Sequence, residues 1–243
     1  MNLKMFFTAK DNIIPLSYRM MISSIIKKNL EKSDKEYMQR LYYYKDRKNL
    51  IIKPFCCSLF LYDYKIDDNE IHIKNEFFIS ISSPDKMFIH KMIQGMNKNY
   101  VYKKYKLHLV NYKVSDDIKH FKSSKIKCST LSPLYVTNKE HKPISVNSEH
   151  FEKELNYICN ISLQIYRGQG LKKPLKFIPL NMKKIVSKEI ISSFSKKDFY
   201  YIEAYKGTFI LKGDPEDLYL LLQLGIGFRR SEGFGAIKLK YLY

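Results

Sequence analysis

The stretch Gly225-Ile226-Gly227-Phe228-Arg229-Arg230-Ser231-Glu232-Gly233-Phe234-Gly235 decides how this chain is read. It gathers four of the nine glycines into eleven residues, as two Gly-x-Gly pairs around a Phe-Arg-Arg-Ser-Glu centre. Glycine lets a main chain turn through φ > 0 or lie directly against a ligand. Upstream, Gly213-Asp214-Pro215-Glu216-Asp217-Leu218 predicts a helix start. Asp214 suits the N-cap, Pro215 the first helical position, and the two acids the first turn, where the helix dipole favours them. Downstream, Ala236-Ile237-Lys238-Leu239-Lys240-Tyr241-Leu242 alternates as a strand does. The glycines therefore bridge a helix and a final strand, with two arginines among open amides. An anionic polymer fits such a loop. Tight turns alone are the competing reading, and they leave the paired arginines unexplained.

Element order excludes a P-loop or a dinucleotide fingerprint. Those place glycines between a strand and a following helix, so that phosphate meets a helix N-terminus. Here the order is reversed and no Gly-Lys-Ser/Thr occurs.

Charge points the same way. The chain has 243 residues and a formal charge of +19, from 43 Lys plus Arg against 24 Asp plus Glu. With 20 Tyr and 15 Phe, that excess predicts an acidic partner and supplies rings on which bases stack. Part of the charge is compositional, since lysine far outnumbers arginine. No apolar run reaches transmembrane length, and the apolar start of the chain is too short for a signal peptide, so a cytoplasmic protein without a membrane partner is expected. Cys56, Cys57, Cys128 and Cys159 form no C-x-x-C pair and have no histidine at zinc spacing. Cys56 and Cys57, side by side in an apolar run, read as buried core, and no metal and no cofactor are expected.

Taken in order, residues 2–8 predict a strand. Residues 12–30 predict a helix with Leu16, Met20, Ser23, Ile26 and Leu30 on one side, and a second helical piece runs from Ser33 to Tyr44. After a basic loop, Lys45-Asp46-Arg47-Lys48, residues 51–61 and 70–82 read as strands. A helix carrying Phe88, Ile89 and Met92 follows, and residues 100–114 close the half as one strand. The second half repeats the order: strand 125–137, helix 148–166, a long hairpin of 176–194 and 199–212 across Ser195-Lys196-Lys197-Asp198, the Pro215 helix and the last strand. The pattern is α+β, two tandem ferredoxin-like (RRM-like) βαββαβ domains with a C-terminal glycine-rich loop. The boundary falls in the polar linker 115–122, giving domains 1–116 and 117–243.

Three segments resemble one known family. The most specific is Tyr205-Lys206-Gly207-Thr208-Phe209-Ile210-Leu211-Lys212-Gly213-Asp214-Pro215-Glu216 with the glycine loop behind it. The others are Leu131-Ser132-Pro133-Leu134 before a helix with Phe151, Leu155 and Asn160, and Ile14-Pro15-Leu16-Ser17-Tyr18 through Lys53-Pro54-Phe55-Cys56-Cys57-Ser58. Together they resemble the CRISPR-associated endoribonucleases that cut repeat RNA into guide units, in the repeat-associated mysterious protein (RAMP) superfamily.

The resemblance implies repeat RNA as the partner and a metal-independent cut, by a 2′-hydroxyl, leaving a cyclic phosphate and a 5′-hydroxyl. It implies Lys27, Tyr42 and Lys53 as catalytic positions. Family members often carry histidine in a Leu-His pair where this chain has Leu41-Tyr42. Free Tyr and Lys titrate near about 10, so both are natural acids and charge stabilisers and reluctant bases. Slow cleavage resting on RNA positioning is expected, with Tyr42 or a neighbour orienting or activating the hydroxyl. Helix-end packing is the competing role for Tyr42, Tyr43 and Tyr44. For RNA contacts, Arg229 and Arg230 with Gly225, Gly227, Gly233 and Gly235 come first, because an arginine fork grips phosphate. Lys183 and Lys184 on the long hairpin come second. The six histidines, His72, His90, His108, His120, His141 and His150, read as ordinary surface. Two other functions fit the same residues: a non-cleaving repeat-RNA subunit of an interference complex, and a general RNA chaperone. Monomer and homodimer are both compatible.

Overall fold

A computed structural model describes residues 1–44, 47, 48, 51–116, 119–189 and 200–243, with only the backbone described at 44, 47 and 48. The basic loop at 45–48, the linker at 115–122 and the hairpin tip at 190–199 lie wholly or partly outside the described residues.

The first unit comprises β1 (Asn2–Ala9), α1 (Tyr18–Ser33), α2 (Lys35–Tyr42), β2 (Cys56–Leu61), β3 (Phe77–Ser82), α3 (Lys86–Gln94) and β4 (Tyr105–Ser115). The second comprises β5 (Lys125–Thr130), α4 (Phe151–Arg167), β6 (Lys176–Glu189), β7 (Tyr200–Lys212), α5 (Pro215–Leu224) and β8 (Ile237–Leu242). The antiparallel sheets run β2-β3-β1-β4, extended at the β4 edge by Asn99–Tyr102, and β6-β7-β5-β8. Each unit thus has its second, third, first and fourth strands in that spatial order, the ferredoxin-like arrangement.

Side-chain period explains the layers. Along β1, Leu3, Met5, Phe7 and Ala9 are buried, while Lys4, Phe6 and Thr8 take the other face. Met21, Ile22, Ile25, Ile26 and Leu30 of α1 pack on the buried face with Phe88, Ile89 and Met92 of α3. In the second unit, α4 gives Phe151, Leu155 and Leu163 and α5 gives Leu218, Leu221 and Leu222 to one face of the sheet. The start of α5 is as its sequence predicts: Asp214 accepts the Glu216 amide at 3.0 Å and Pro215 opens the helix.

Several boundaries differ from expectation. Residues 13–15 do not open α1. They pair with Glu70–His72 as a short strand, and Leu16 N–H donates to Asn69 O at 2.8 Å, so the helix begins at Tyr18 and Met20 faces solvent. Residues 70–82 split into Glu70–Ile73 and β3, in different sheets. Residues 100–114 fold back on themselves, with Lys103 in the turn at φ 53°. The early strands shorten to Cys56–Leu61 and Lys125–Thr130.

The β6–β7 hairpin pairs from Lys176–Lys212 to Glu189–Tyr200, with a register shift between Pro179 and Asn181, and its far end reaches the first unit. Among the described residues, no helix is long and apolar enough to cross a membrane.

Candidate functional site

The glycine loop is a joint before it is anything else. All four of its glycines are buried and have positive φ, from 64° at Gly235 to 86° at Gly233. The open amides expected from the sequence are instead bonded within the protein. Gly225 N–H donates to Leu221 O at 2.8 Å, and Gly235 N–H to Pro133 O at 2.8 Å. Gly233 N–H donates to Arg230 O at 3.3 Å, and the Gly227 amide lies against the Cys159 thiol. A Cβ on Gly235 would stand 1.9 Å from Ile226 O, and one on Gly225 would meet Cys56. Gly235→Ala is therefore expected to cost about 1–3 kcal/mol, read from urea unfolding. An unchanged midpoint would show that the loop relaxes freely.

Arg230 also differs from expectation. It is 4 % exposed, and its Nη1 donates to Leu224 O at 2.6 Å and Gly225 O at 3.4 Å. Those carbonyls end α5, where a cation meets the negative end of the helix dipole. Arg230 caps the helix through Nη1 and also borders the hollow beside Lys53. Arg229 is the loop arginine that emerges: it sits at φ 56°, is 35 % exposed, and lies 3.8 Å from Glu232.

Arg19, which sequence reading passed over, ties three elements together. Its guanidinium pairs with Glu189, donates to Ser187 Oγ at 2.6 Å and to Gly233 O at 3.3 Å, and lies 4.3 Å from the Phe234 ring. One side chain from α1 thus holds both the end of β6 and the glycine loop. A signal existed: Arg19, Ile22, Ile26 and Asn29 share one buried helical stripe.

The three expected catalytic residues do meet. The Tyr42 ring carries the Lys27 ammonium at 4.7 Å and the Lys53 ammonium at 5.0 Å from its centroid. Cation–π attraction fixes both charges on one ring. The Tyr42 hydroxyl is buried, and burial above all, with Cys57 and Glu232 nearby, pushes its pKa far above the usual phenol range. That direction makes the phenol an unfavourable base and leaves the ring, which carries both ammonium groups, as the feature Tyr42 presents. Tyr43 beside it is 43 % exposed and lies 5.6 Å under the Lys27 ammonium. The side chain of Tyr44 lies outside the described residues.

Lys53 stands on a ridge between two hollows. One, of about 220 Å³, is bounded by Ile52, Lys53, Phe228, Arg229, Ser231 and Glu232. The other, of about 340 Å³, extends to Arg40, Asp85 and Tyr166. The glycine loop and the lysine–tyrosine cluster therefore share one wall. Glu232, a carboxylate that sequence reading did not single out, enters the first hollow at 51 % exposure.

The remaining expected residues lie apart. Lys183 and Lys184 are exposed on β6 and line neither hollow, and Lys184 pairs with Glu203 at 2.7 Å. No histidine lines either hollow. The four cysteines are free and buried, and burial pushes the Cys56 thiol up to about 12. Among the described residues, no three His, Cys, Asp or Glu side chains cluster as metal ligands would.

Two ferredoxin-like units with a glycine loop beside a lysine-bearing hollow define a class, the tandem ferredoxin-like proteins. A sequence profile for CRISPR associated protein Cas6, C-terminal, matches residues 111–239, more than half of the chain. The chain belongs to the Cas6 family. Its fold matches the product of a Cas6-related gene from Pyrococcus furiosus, with TM-score 0.81, 18 % identity, and coverage of 99 % of this chain and 98 % of that one. It also matches a RAMP protein that binds different RNA substrates, with TM-score 0.80, 18 % identity, and coverage of 99 % and 100 %. A CRISPR-associated Cas6 protein matches with TM-score 0.75, 20 % identity, and coverage of 99 % of each chain. At these identities the likeness is one of fold. Comparison with curated protein sequences gives no match.

Proposed function

We propose that the protein binds CRISPR repeat RNA and cleaves it without a metal ion, by attack of a 2′-hydroxyl on the adjacent phosphate. One observation carries this reading: Lys27 and Lys53 converge on the Tyr42 ring, while Lys53, Arg229 and Glu232 line one hollow. The attacking oxygen bonds to phosphorus and the bond to the 5′-oxygen breaks, leaving a 2′,3′-cyclic phosphate and a 5′-hydroxyl. Glu232 is the carboxylate that lines the hollow beside Lys53 and Arg229, and it takes the hydroxyl proton. Lys27 and Lys53 stabilise the charge that builds on the phosphorane, and one of them supplies the proton to the leaving oxygen. Arg229 holds the neighbouring phosphate, and exposed Tyr43 orients the ribose. The glycines and Arg230 keep this wall in place, and Lys183 and Lys184 grip RNA further out. The units divide between residues 116 and 117, and the cytoplasm is the proposed place of action.

A labelled repeat transcript, incubated with excess protein and a chelator, tests this. A product ending in a cyclic phosphate is expected. Stable binding without any product would favour a repeat-RNA-binding subunit of an interference complex, a reading that the phenol at position 42 supports. Retention on an affinity-tagged complex would then identify that partner, and sedimentation would give monomer or homodimer.

Tyr42 separates ring from hydroxyl. Tyr42→Phe keeps the ring, so its cleavage rate is expected to stay within about threefold of the parent. Tyr42→Ala removes the support for two ammonium groups and is expected to slow cleavage roughly 10- to 30-fold. Equal losses in both variants would assign the role to the hydroxyl.

A further inference from the structure

Sheet edges expose unpaired backbone groups, and proteins block them with proline, like charges or a covering element. The edges of both large sheets carry such devices. β2 lies under the glycine loop, where Cys57 Sγ meets Ser231 O at 3.8 Å. At the Asn99–Tyr102 edge, the Lys28 ammonium donates to Val101 O at 2.6 Å. β6 carries Pro179 with a register shift beside it, and β8 carries Lys238 and Lys240 without an acid.

The edge Tyr64-Lys65-Ile66-Asp67 differs. It is the outer strand of a small three-stranded sheet and pairs on one side with Glu70–Ile73. All four residues are exposed, Tyr64 at 47 % and Ile66 at 58 %. Lys74 N–H donates to Asp63 O at 3.1 Å. Alternation along an antiparallel strand then turns the backbone groups of Lys65 and Asp67 inward too, and those of Tyr64 and Ile66 outward. Among the described residues no backbone group bonds to the outward ones.

This strand is complementary to itself. In an antiparallel pair of copies about a two-fold axis at Ile66, each Ile66 meets the other and the outward backbone groups exchange two hydrogen bonds. Lys65 of each copy then faces Asp67 of the other. Neither charge is answered within the chain: among the described residues no ion pair includes Lys65 or Asp67, and Glu70, opposite Asp67, is held by Lys104 at 2.6 Å. Asp63, the acid on the other side of Lys65, is taken by Lys74 at 2.7 Å.

We propose that Tyr64–Asp67 is the seam of a symmetric dimer of this chain, with the two edges paired about Ile66. Opposite charges across a strand pair attract and like charges repel, so the alternating signs select this register. Tyr64 and Ile66 also line a hollow of about 600 Å³ between the two units, so the seam sets two such hollows side by side. It uses no residue of the wall formed by Lys53 and the glycine loop, and it stands apart from the proposed cleavage.

Sedimentation of the full chain without RNA, at concentrations up to about 1 mM, tests the seam. The average mass is expected to rise with concentration towards twice that of one chain. Lys65→Asp and Asp67→Lys each set like charges across both ends of the seam and should weaken the dimer at least about tenfold. The double change restores opposite charges and should return the affinity to within about threefold of the parent, a rescue that damage to the fold would not show. Ile66→Cys reads the axis, because hydrogen-bonded antiparallel partners have Cα atoms about 5.5 Å apart, within disulfide reach. The native cysteines are buried, so air oxidation is expected to cross-link Ile66→Cys and to leave Tyr64→Cys, which this axis sets apart from its own copy, as single chains. A monomer at every concentration, a dimer indifferent to both charge changes, or a double change without rescue would overturn the seam. Cross-linking through Tyr64→Cys in place of Ile66→Cys would overturn its register. None of these measurements reads cleavage, so their outcome and that of the cleavage assay remain distinguishable.

Discussion

Lys53→Ala is expected to slow single-turnover cleavage of repeat RNA by about 100- to 1,000-fold while changing RNA affinity less than about fivefold. A cation fixed before the reaction stabilises the extra charge of the phosphorane without reorganising, and a low-dielectric wall strengthens its effect. Lys53 meets both conditions: its ammonium rests on the buried Tyr42 ring, and it lines both neighbouring hollows. Ground-state binding draws on many other cations of a chain with charge +19, so affinity is insensitive to one of them. Lys27→Ala should act in the same direction, because its ammonium lies on the same ring. Glu232→Gln gives the contrast. It removes the proton acceptor while keeping size, and is expected to slow cleavage by about 100-fold or more. Rates within threefold of the parent for Lys53→Ala and Glu232→Gln together would move the reacting phosphate elsewhere on the molecule.

The fold was more legible than the site, for reasons visible in particular residues. Asp214-Pro215 marks the start of α5 because capping is local, and it holds. The alternation of β1 is equally local. Residues 100–114 misled because the turn there is made by Lys103 at φ 53°, a residue type that gives no warning. The glycine loop shows a deeper limit. Glycine spacing predicts positive φ, and all four positions have it, but spacing does not say what the amides face. Their partners include Pro133 O, about a hundred residues earlier in the chain. Arg229 and Arg230 look identical in sequence, yet one is capped onto α5 and the other emerges, because a single residue in the left-handed region turns the chain between them. Lys27, Tyr42 and Lys53 were assigned through family resemblance, and no local signal would have brought them together.

The second large effect is expected at Arg19 and Glu189. Glu189→Ala should lower unfolding stability by about 3–5 kcal/mol, because it leaves a buried guanidinium without its counter-charge. Arg19 is 5 % exposed, and its other partners, Ser187 Oγ and Gly233 O, are neutral acceptors that do not replace a carboxylate. Removing both charges is a different experiment. Arg19→Met with Glu189→Leu abolishes the pair and its desolvation cost together, so the double change should be milder than Glu189→Ala alone. Urea unfolding of the parent, Arg19→Met, Glu189→Leu and the double variant closes the cycle. The ion pair also links stability to function, since Arg19 joins α1, which carries Lys27, to the loop that carries Arg229 and Glu232. In the double variant, cleavage should therefore fall more than stability alone explains, with the loss persisting below the unfolding transition. A double variant that recovers stability and cleaves at the parental rate would show that Arg19 holds the units together without setting the distance between α1 and the glycine loop.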